Sequence, residues 1–307
     1  MNDIVLKLKS SSGKIYEIRE CISFKVEKEL YLPYSVFSGI FISDTDIMNI
    51  ADAEFFIDNK LIHKGFIDTI EKSEKDGVTL ISLSSRGYTS HLLQCELPEG
   101  IMSLPSLNSL FARVRSPYIT HEDSSLTVNY IYLYSRSSVW DACKMLCLKM
   151  HNNYPFIREG NKVCYTFPDN TIVSEPYDII SKGVSLNLKS AVSDVYMRDL
   201  TDETEYSMHL SDNELKNLGI VREKYYPFDK AWAFDSYLGL QTKLNLGTKS
   251  LRADFVKYKG FSGEDINDEV IFDNKKGRIN RIFVTGGKNG IITTLWRYYD
   301  RYNNSNI

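Results

Sequence analysis

The sequence predicts a β-rich α+β protein made of two small antiparallel β-barrels around an intervening α/β insert. Three observations carry that expectation. Apolar and polar residues alternate in short runs toward both ends, helical spacing takes over only in the middle, and aromatic residues make up 12% of the chain, with 20 tyrosines. Such aromatic usage suits pleated, half-buried surfaces and subunit contacts. At 307 residues the chain has the length of about two domains, and the division expected is 1–92 for the first barrel, 93–178 for the insert and 179–307 for a second barrel with helical insertions.

In the first barrel, Ile4, Leu6 and Leu8 alternate with polar neighbours, as do Ile22, Phe24 and Val26. Each run can therefore bury one face of a sheet. Glu54 to Ile57 meets the pair Asp58-Asn59, and Leu61-Ile62-His63 returns, which reads as a hairpin because Asp and Asn tolerate the left-handed turn. Gly65 interrupts the second strand and permits a bulge or sharp bend, and Asp76-Gly77 turns the chain into a strand over Val78 to Leu83.

The period changes after Arg86-Gly87-Tyr88. Leu107, Leu110, Phe111 and Val114 fall at helical spacing over 106–115, between Pro105 and Pro117. Val128 to Tyr134 reads as a strand. Ser138-Val139-Trp140-Asp141 then forms a capping box that starts a helix whose apolar face is Val139, Ala142, Cys143, Leu146, Cys147 and Met150. A hairpin over Tyr154 to Phe167 turns at Glu159-Gly160. From Ser181 alternation resumes in Val184 to Leu188 and continues through 192–210, predicting a second β unit. A short helix capped by Ser211 or Asp212 and a longer one over Trp232 to Leu246 interrupt it. Strands over Leu251 to Tyr258, Glu269 to Phe272, Arg278 to Val284 and Ile291 to Tyr298 close the chain, the last two joined across the glycine-rich turn Gly286 to Gly290.

Composition and motif argue against several functions. The net charge is −3, so no positive field advertises nucleic acid. The longest uncharged stretch, Leu30 to Ser43, is interrupted by Pro33 and Gly39 and too short to cross a bilayer, so no membrane insertion is expected. The N-terminus lacks the pattern of a secretory signal, and five cysteines in a chain of this size suggest reduced thiols. His63, His91, His121, His151 and His209 never fall at metal-ligand spacing. Cys143 and Cys147 share a helix face but lack local partners for a site, and Asp44 with Asp46 reads as a turn. Neither a cofactor nor a metal is called for. The acidic cluster Glu264, Asp265, Asp268 and Glu269 leaves one enzymatic alternative, a carboxylate-based cell-wall glycosidase, and the aromatic surplus leaves a carbohydrate-binding host-attachment module as another.

Over Leu32 to Phe41, Phe55 to Asp68, Ser85 to Ser90, the helix start Pro105 to Leu110, Val139 to Ala142 and Tyr258 to Asp268, the chain resembles central baseplate hub proteins of contractile phage tails and phage-tail-like bacteriocins, in their Gram-positive branch. The resemblance implies a non-enzymatic homotrimer whose two barrels per chain form a pseudo-sixfold ring. Such a ring adapts the sixfold tail tube protein to a threefold central spike protein. It contacts baseplate wedge proteins and leaves a channel for the tape-measure protein, with DNA only as passing cargo. The expected place is the baseplate of a virion or tail-like particle assembled in the bacterial cytoplasm. The candidate interface residues are Tyr31, Tyr34, Phe37, Phe41 and Arg86. The segment Tyr31 to Phe41 is either an inter-subunit arm or core of its own barrel, and Arg86 pairs either across a subunit boundary or within its own chain.

Overall fold

The computed structural model describes residues 3–114, 116–124, 126–151, 153–169, 172–173, 178–198, 205–226, 236–248, 252–272 and 275–299. Its main element is one curled, wholly antiparallel sheet of eleven strands. In chain order these are β1 (Ile4–Ser10), β2 (Ile15–Ile18), β3 (Cys21–Glu29), β4 (Val36–Ile42), β5 (Ile50–Ile57), β6 (Lys60–Lys75), β7 (Val78–Gly87), β8 (Ile179–Leu186), β9 (Arg252–Lys259), β10 (Arg281–Gly287) and β11 (Gly290–Tyr298). Their spatial order is β8-β9-β11-β10-β3-β4-β7-β6-β5-β1-β2. The two β units thus share a single sheet, joined where β3 pairs β10 from Glu29 opposite Arg281 to Ser23 opposite Gly287.

A duplication is written into this order. Reading across the sheet, β6-β7-β4-β3 in the first unit matches β10-β11-β9-β8 in the second, with the same chain order within each set. The registers match as well. Each set has a hairpin with a two-residue turn, Lys75 opposite Val78 in one and Gly287 opposite Gly290 in the other. Aligning those turns puts Leu83 with Leu295, Gly39 with Val256 and Val26 with Val184. The same alignment brings two β-bulges into coincidence, one between Cys21 and Ser23 and one between Ile179 and Ser181. A bulge adds one residue and flips the facing of everything beyond it, so its repetition at the same place keeps the inward positions of the two sets in phase.

The hairpin of β5 and β6 turns at Asp58 and Asn59, with φ of 48° and 62°, as the Asp-Asn pair predicts. Gly65 has a different role from the expected bulge. The register shifts lie on either side of it, at Phe55/Phe56 and Ile67/Thr69. A Cβ at Gly65 would stand 2.0 Å from the Arg86 carbonyl oxygen, so the glycine permits close approach of β7.

Between the two strand sets lie α1 (His91–Gln94), α2 (Leu107–Phe111) and α3 (Val139–His151). Ser106 and Ser109 form the capping box of α2, which ends before the predicted Arg115. The amide and hydroxyl of Ser138 both donate to the Asp141 carboxylate, and the Asp141 amide donates back to the Ser138 hydroxyl, as the sequence predicts for α3. Its buried face includes Trp140, Cys143, Leu146 and Cys147, which join the same apolar core as the main sheet. The hairpin Phe156–Arg158 and Lys162–Cys164 turns at Glu159 and Gly160, both at positive φ.

The second unit departs from the expectation in its insertion. Strands Asp194–Met197 and Met208–Ser211 do not extend the main sheet. They form a separate three-stranded sheet with Glu223–Tyr226, which runs parallel to the first. Two helices accompany it. The side chain of Asp212 caps α4 (Asn213–Asn217), and α5 (Ser236–Thr248) begins four residues after the predicted Trp232; residues 232–235 lie outside the described residues. Val192, Val195, Met197, Leu240 and Leu244 form a small core of their own there. Alternation predicts a strand but not which sheet it joins, and this satellite core competes successfully for these strands. The glycine-rich turn is likewise tighter than expected, with Gly286, Gly287 and Gly290 all within paired strands and only Lys288 and Asn289 between them.

Candidate assembly interface

The five predicted interface residues lie in different environments. Phe37 and Phe41 are fully buried inside the first strand set, where Phe37 stacks on Phe55 at 4.6 Å and on His63 at 5.5 Å. Alternation along β4 directs both rings inward, past Gly39, whose missing side chain leaves them room. Tyr31 is buried where β3, the insert and β11 converge, edge-on to Tyr154 and stacked on Tyr298. Tyr34 is half-buried beside a cleft formed with Lys28, Ile157, Arg158 and Ile266. That cleft has an accessible volume of about 10 Å³, room for about one water and far below the range of about 300–1,000 Å³ usual for small-molecule sites. Arg86 makes a bidentate pair with Asp68 of its own chain, both contacts at 2.8 Å, and keeps about a third of its side chain exposed.

The acidic cluster fastens three parts of the chain together. The ammonium of Lys28 in β3 donates to Asp265 at 2.9 Å, and the amides of Glu159 and Ile266 donate to the same carboxylate. Burial works against the Asp265 charge, but Lys28 and these donors outweigh it and hold the carboxyl below its usual range. Arg158 of the insert donates to Asp268 at 2.7 Å; here burial prevails and raises the carboxyl despite the guanidinium. Glu264 accepts from the Tyr258 hydroxyl and the Ser262 amide, and Glu269 pairs with Lys276. All four carboxylates are thus engaged, and their partners come from β3, the insert, β9, the acidic loop itself and the strand that follows. Sequence proximity located the cluster but could not locate these partners.

His63 is fully buried, with Nδ1 2.7 Å from the Ser35 hydroxyl and Nε2 2.8 Å from that of Ser85. Burial first, and the nearby Lys28 charge second, lower its pKa to about 3, so the ring is neutral. Cys21 and Cys164 are raised to about 12 by burial, which makes them poor nucleophiles. Among the described residues no three His, Cys, Asp or Glu side chains gather as metal ligands, and no helix is long and apolar enough to cross a membrane.

Two bare strand edges were not legible in the sequence. Among the described residues β8 ends the sheet, and Ile180, Val184 and Leu186 on it are 45%, 70% and 52% exposed. β6 pairs β5 only over Lys60–Phe66, so its second half, Thr69–Lys75, bonds β7 on one side and no strand on the other among the described residues. The only sequence signal for the first edge is its low charge, one lysine in eight residues.

No known protein family's sequence pattern matches the chain, and no curated protein matches it. Solved structures do. A tail protein from Neisseria meningitidis is 13% identical, with 98% of each chain covered and a TM-score of 0.71. The 43 kDa tail protein of prophage MuSo2 from Shewanella oneidensis is 14% identical over 97% of this chain and 98% of that one, TM-score 0.70. An E. coli component of the type VI secretion system, described as similar to bacteriophage T4 tail proteins gp27 and gp5, is 8% identical over 97% and 77%, TM-score 0.57. The chain therefore has the fold of phage-tail proteins of the baseplate-hub type.

Proposed function

We propose that this chain is a structural hub protein of a contractile tail or tail-like particle, three copies of which form a ring of six similar β units. The observation that carries the reading is the repeated strand set, matched in order, register and bulge, and laid head to tail across one sheet. A head-to-tail repeat within one chain supplies two of six pseudo-equivalent positions, so a threefold operator completes the ring. Such a ring meets a sixfold tail tube protein on one side and a threefold central spike protein on the other. Wedge proteins bind its rim, and its channel passes the tape-measure protein and DNA. The role is one of geometry, without a catalytic step and without a cofactor, and the particle's baseplate is where it acts after assembly in the bacterial cytoplasm. Of the predicted interface set, Tyr34 and Arg86 keep exposure with which to face another chain, while Tyr31, Phe37 and Phe41 support the surface from behind. The divisions 1–92, 93–178 and 179–307 are proposed as the working units of that ring.

The test is the mass of the purified chain by light scattering, with an electron-microscope image of the same sample. Three copies in a ring with a central opening are expected. A single copy at every concentration, alone and in the presence of tube and spike proteins, would overturn the reading.

A further inference from the structure

The duplication predicts where two copies meet. Within one chain, β3 of the first strand set pairs β10 of the second. Under the alignment set by the matching turns and bulges, β3 corresponds to β8, and the seven residues of β10 correspond to Thr69–Lys75 of β6. These counterparts are the two bare edges: among the described residues β8 has no strand beyond it, and Thr69–Lys75 is the half of β6 that β5 leaves uncovered. The internal seam is therefore occupied once within the chain, and its equivalent is left open at both ends. We infer that β8 of one copy adds to the free half of β6 of a second copy, antiparallel, in the register of the β3·β10 seam.

Carrying that register over gives the pairs residue by residue. Val26 opposite Val284 becomes Val184 opposite Lys72, Lys28 opposite Ile282 becomes Leu186 opposite Ile70, and Phe24 opposite Gly286 becomes Lys182 opposite Glu74. These six side chains fall on one face, joining an apolar pair, a lysine stem over Val184 and a pair of opposite charges, each a favourable cross-strand combination. The exchange at the last position is complementary in size too. A Cβ at Gly286 would stand 2.8 Å from the Phe24 ring, and in the new seam a flexible lysine replaces the ring where a glutamate replaces the glycine. At Gly287 a Cβ would stand 2.1 Å from the Ile22 carbonyl in the bulge. The corresponding Lys75 has a side chain, so the ladder between copies stops before it. The exposed apolar residues of β8 are what an edge strand awaiting a partner carries, since a strand meant to stay bare is usually protected by charge. The contact is heterologous, so it propagates from copy to copy until it closes; closure at three rests on the ring reading above.

The experiment uses the full chain with the exposed Cys95 changed to serine. Val184→Cys combined with Lys72→Cys is oxidised and resolved on a non-reducing gel. Inter-chain disulfides are expected in at least about tenfold excess over Val184→Cys with Glu71→Cys, whose thiol lies one position along and on the opposite face. In the disulfide-free protein, Glu74→Lys or Lys182→Glu alone weakens association about threefold, and the two together restore it. Absence of the cross-link, or equal cross-linking of both partners, overturns the seam. Light scattering reads copy number separately. A trimer without the cross-link overturns the seam and leaves the ring reading standing, while an open series of linked species supports the seam and overturns closure at three.

Discussion

At matching positions of the two strand sets the backbone repeats and the interior chemistry does not. Where β4 turns Phe37 inward, β9 carries Asp254, and where β7 has Ser85, β11 has Arg297, so the second set closes on a buried ion pair between Arg297 and Asp254. Phe41 matches Tyr258, whose hydroxyl donates to Glu264, and Gly39 matches Val256. The first interior is an aromatic cluster of Phe24, Phe37, Phe41 and Phe55, with the neutral His63 and its two serine partners as its polar members. The second adds to its aliphatic residues the Arg297–Asp254 pair and the Tyr258–Glu264 hydrogen bond. Strand order, turn length and bulge position are thus enough to define the unit, and two quite different sets of inward side chains satisfy it within one continuous core.

The contrast can be broken most forcefully in the interiors. Phe37→Ala removes a ring from a packed aromatic cluster and is expected to cost about 3–5 kcal/mol. Asp254→Ala is expected to cost a similar amount, about 3–5 kcal/mol, for the opposite reason, because it leaves the buried Arg297 charge without its carboxylate. Denaturant unfolding separates the two causes. Asp254→Leu with Arg297→Met should recover most of the loss, since an apolar pair needs no desolvation.

Gly39→Val imports the second set's residue into the first. Its Cβ would meet the Phe41 ring at 2.6 Å and the Phe37 ring at 3.2 Å, and an overpacking cost of about 1–3 kcal/mol is expected. A stability change near zero would mean the aromatic cluster can be rearranged, and would weaken the distinction between the two interiors.

The most gradual effect is a pH slope. His63 stays neutral down to about pH 3 in the folded chain but takes a proton near pH 6.5 when unfolded. The unfolded state then binds more protons, so stability falls as pH drops below about 6.5, by at most about 1.4 kcal/mol per pH unit, until the folded ring also titrates near 3. Asp265, held below its usual range, adds a loss that begins only below about pH 4. Equilibrium unfolding between pH 7 and pH 5 should lose this slope in His63→Gln while Asp265→Asn retains it.

Strands and helix starts were legible because their signals are local. The Asp58-Asn59 and Asp76-Gly77 turns, the Ser138 box and the alternation in β1 and β3 each need only neighbouring residues. The joining of β3 to β10 depends on a contact between residues more than 250 positions apart, and nothing near Glu27 announces that Arg281 will bond it. For the same reason the acidic loop could be seen but not its fastening to Lys28 and Arg158. Exposure of Val184 was hidden because an alternating run reads the same whether or not its inward face is covered.

The connection between β3 and β4 is a brief turn over residues 30–35, while its counterpart between β8 and β9 spans 187–251 and encloses the satellite sheet with α4 and α5. That satellite keeps its own five-residue core, and the strands flanking it stay paired along their length. It behaves as a graft on the scaffold: an ornament that can be added, exchanged or pruned while the strands beneath it keep their register.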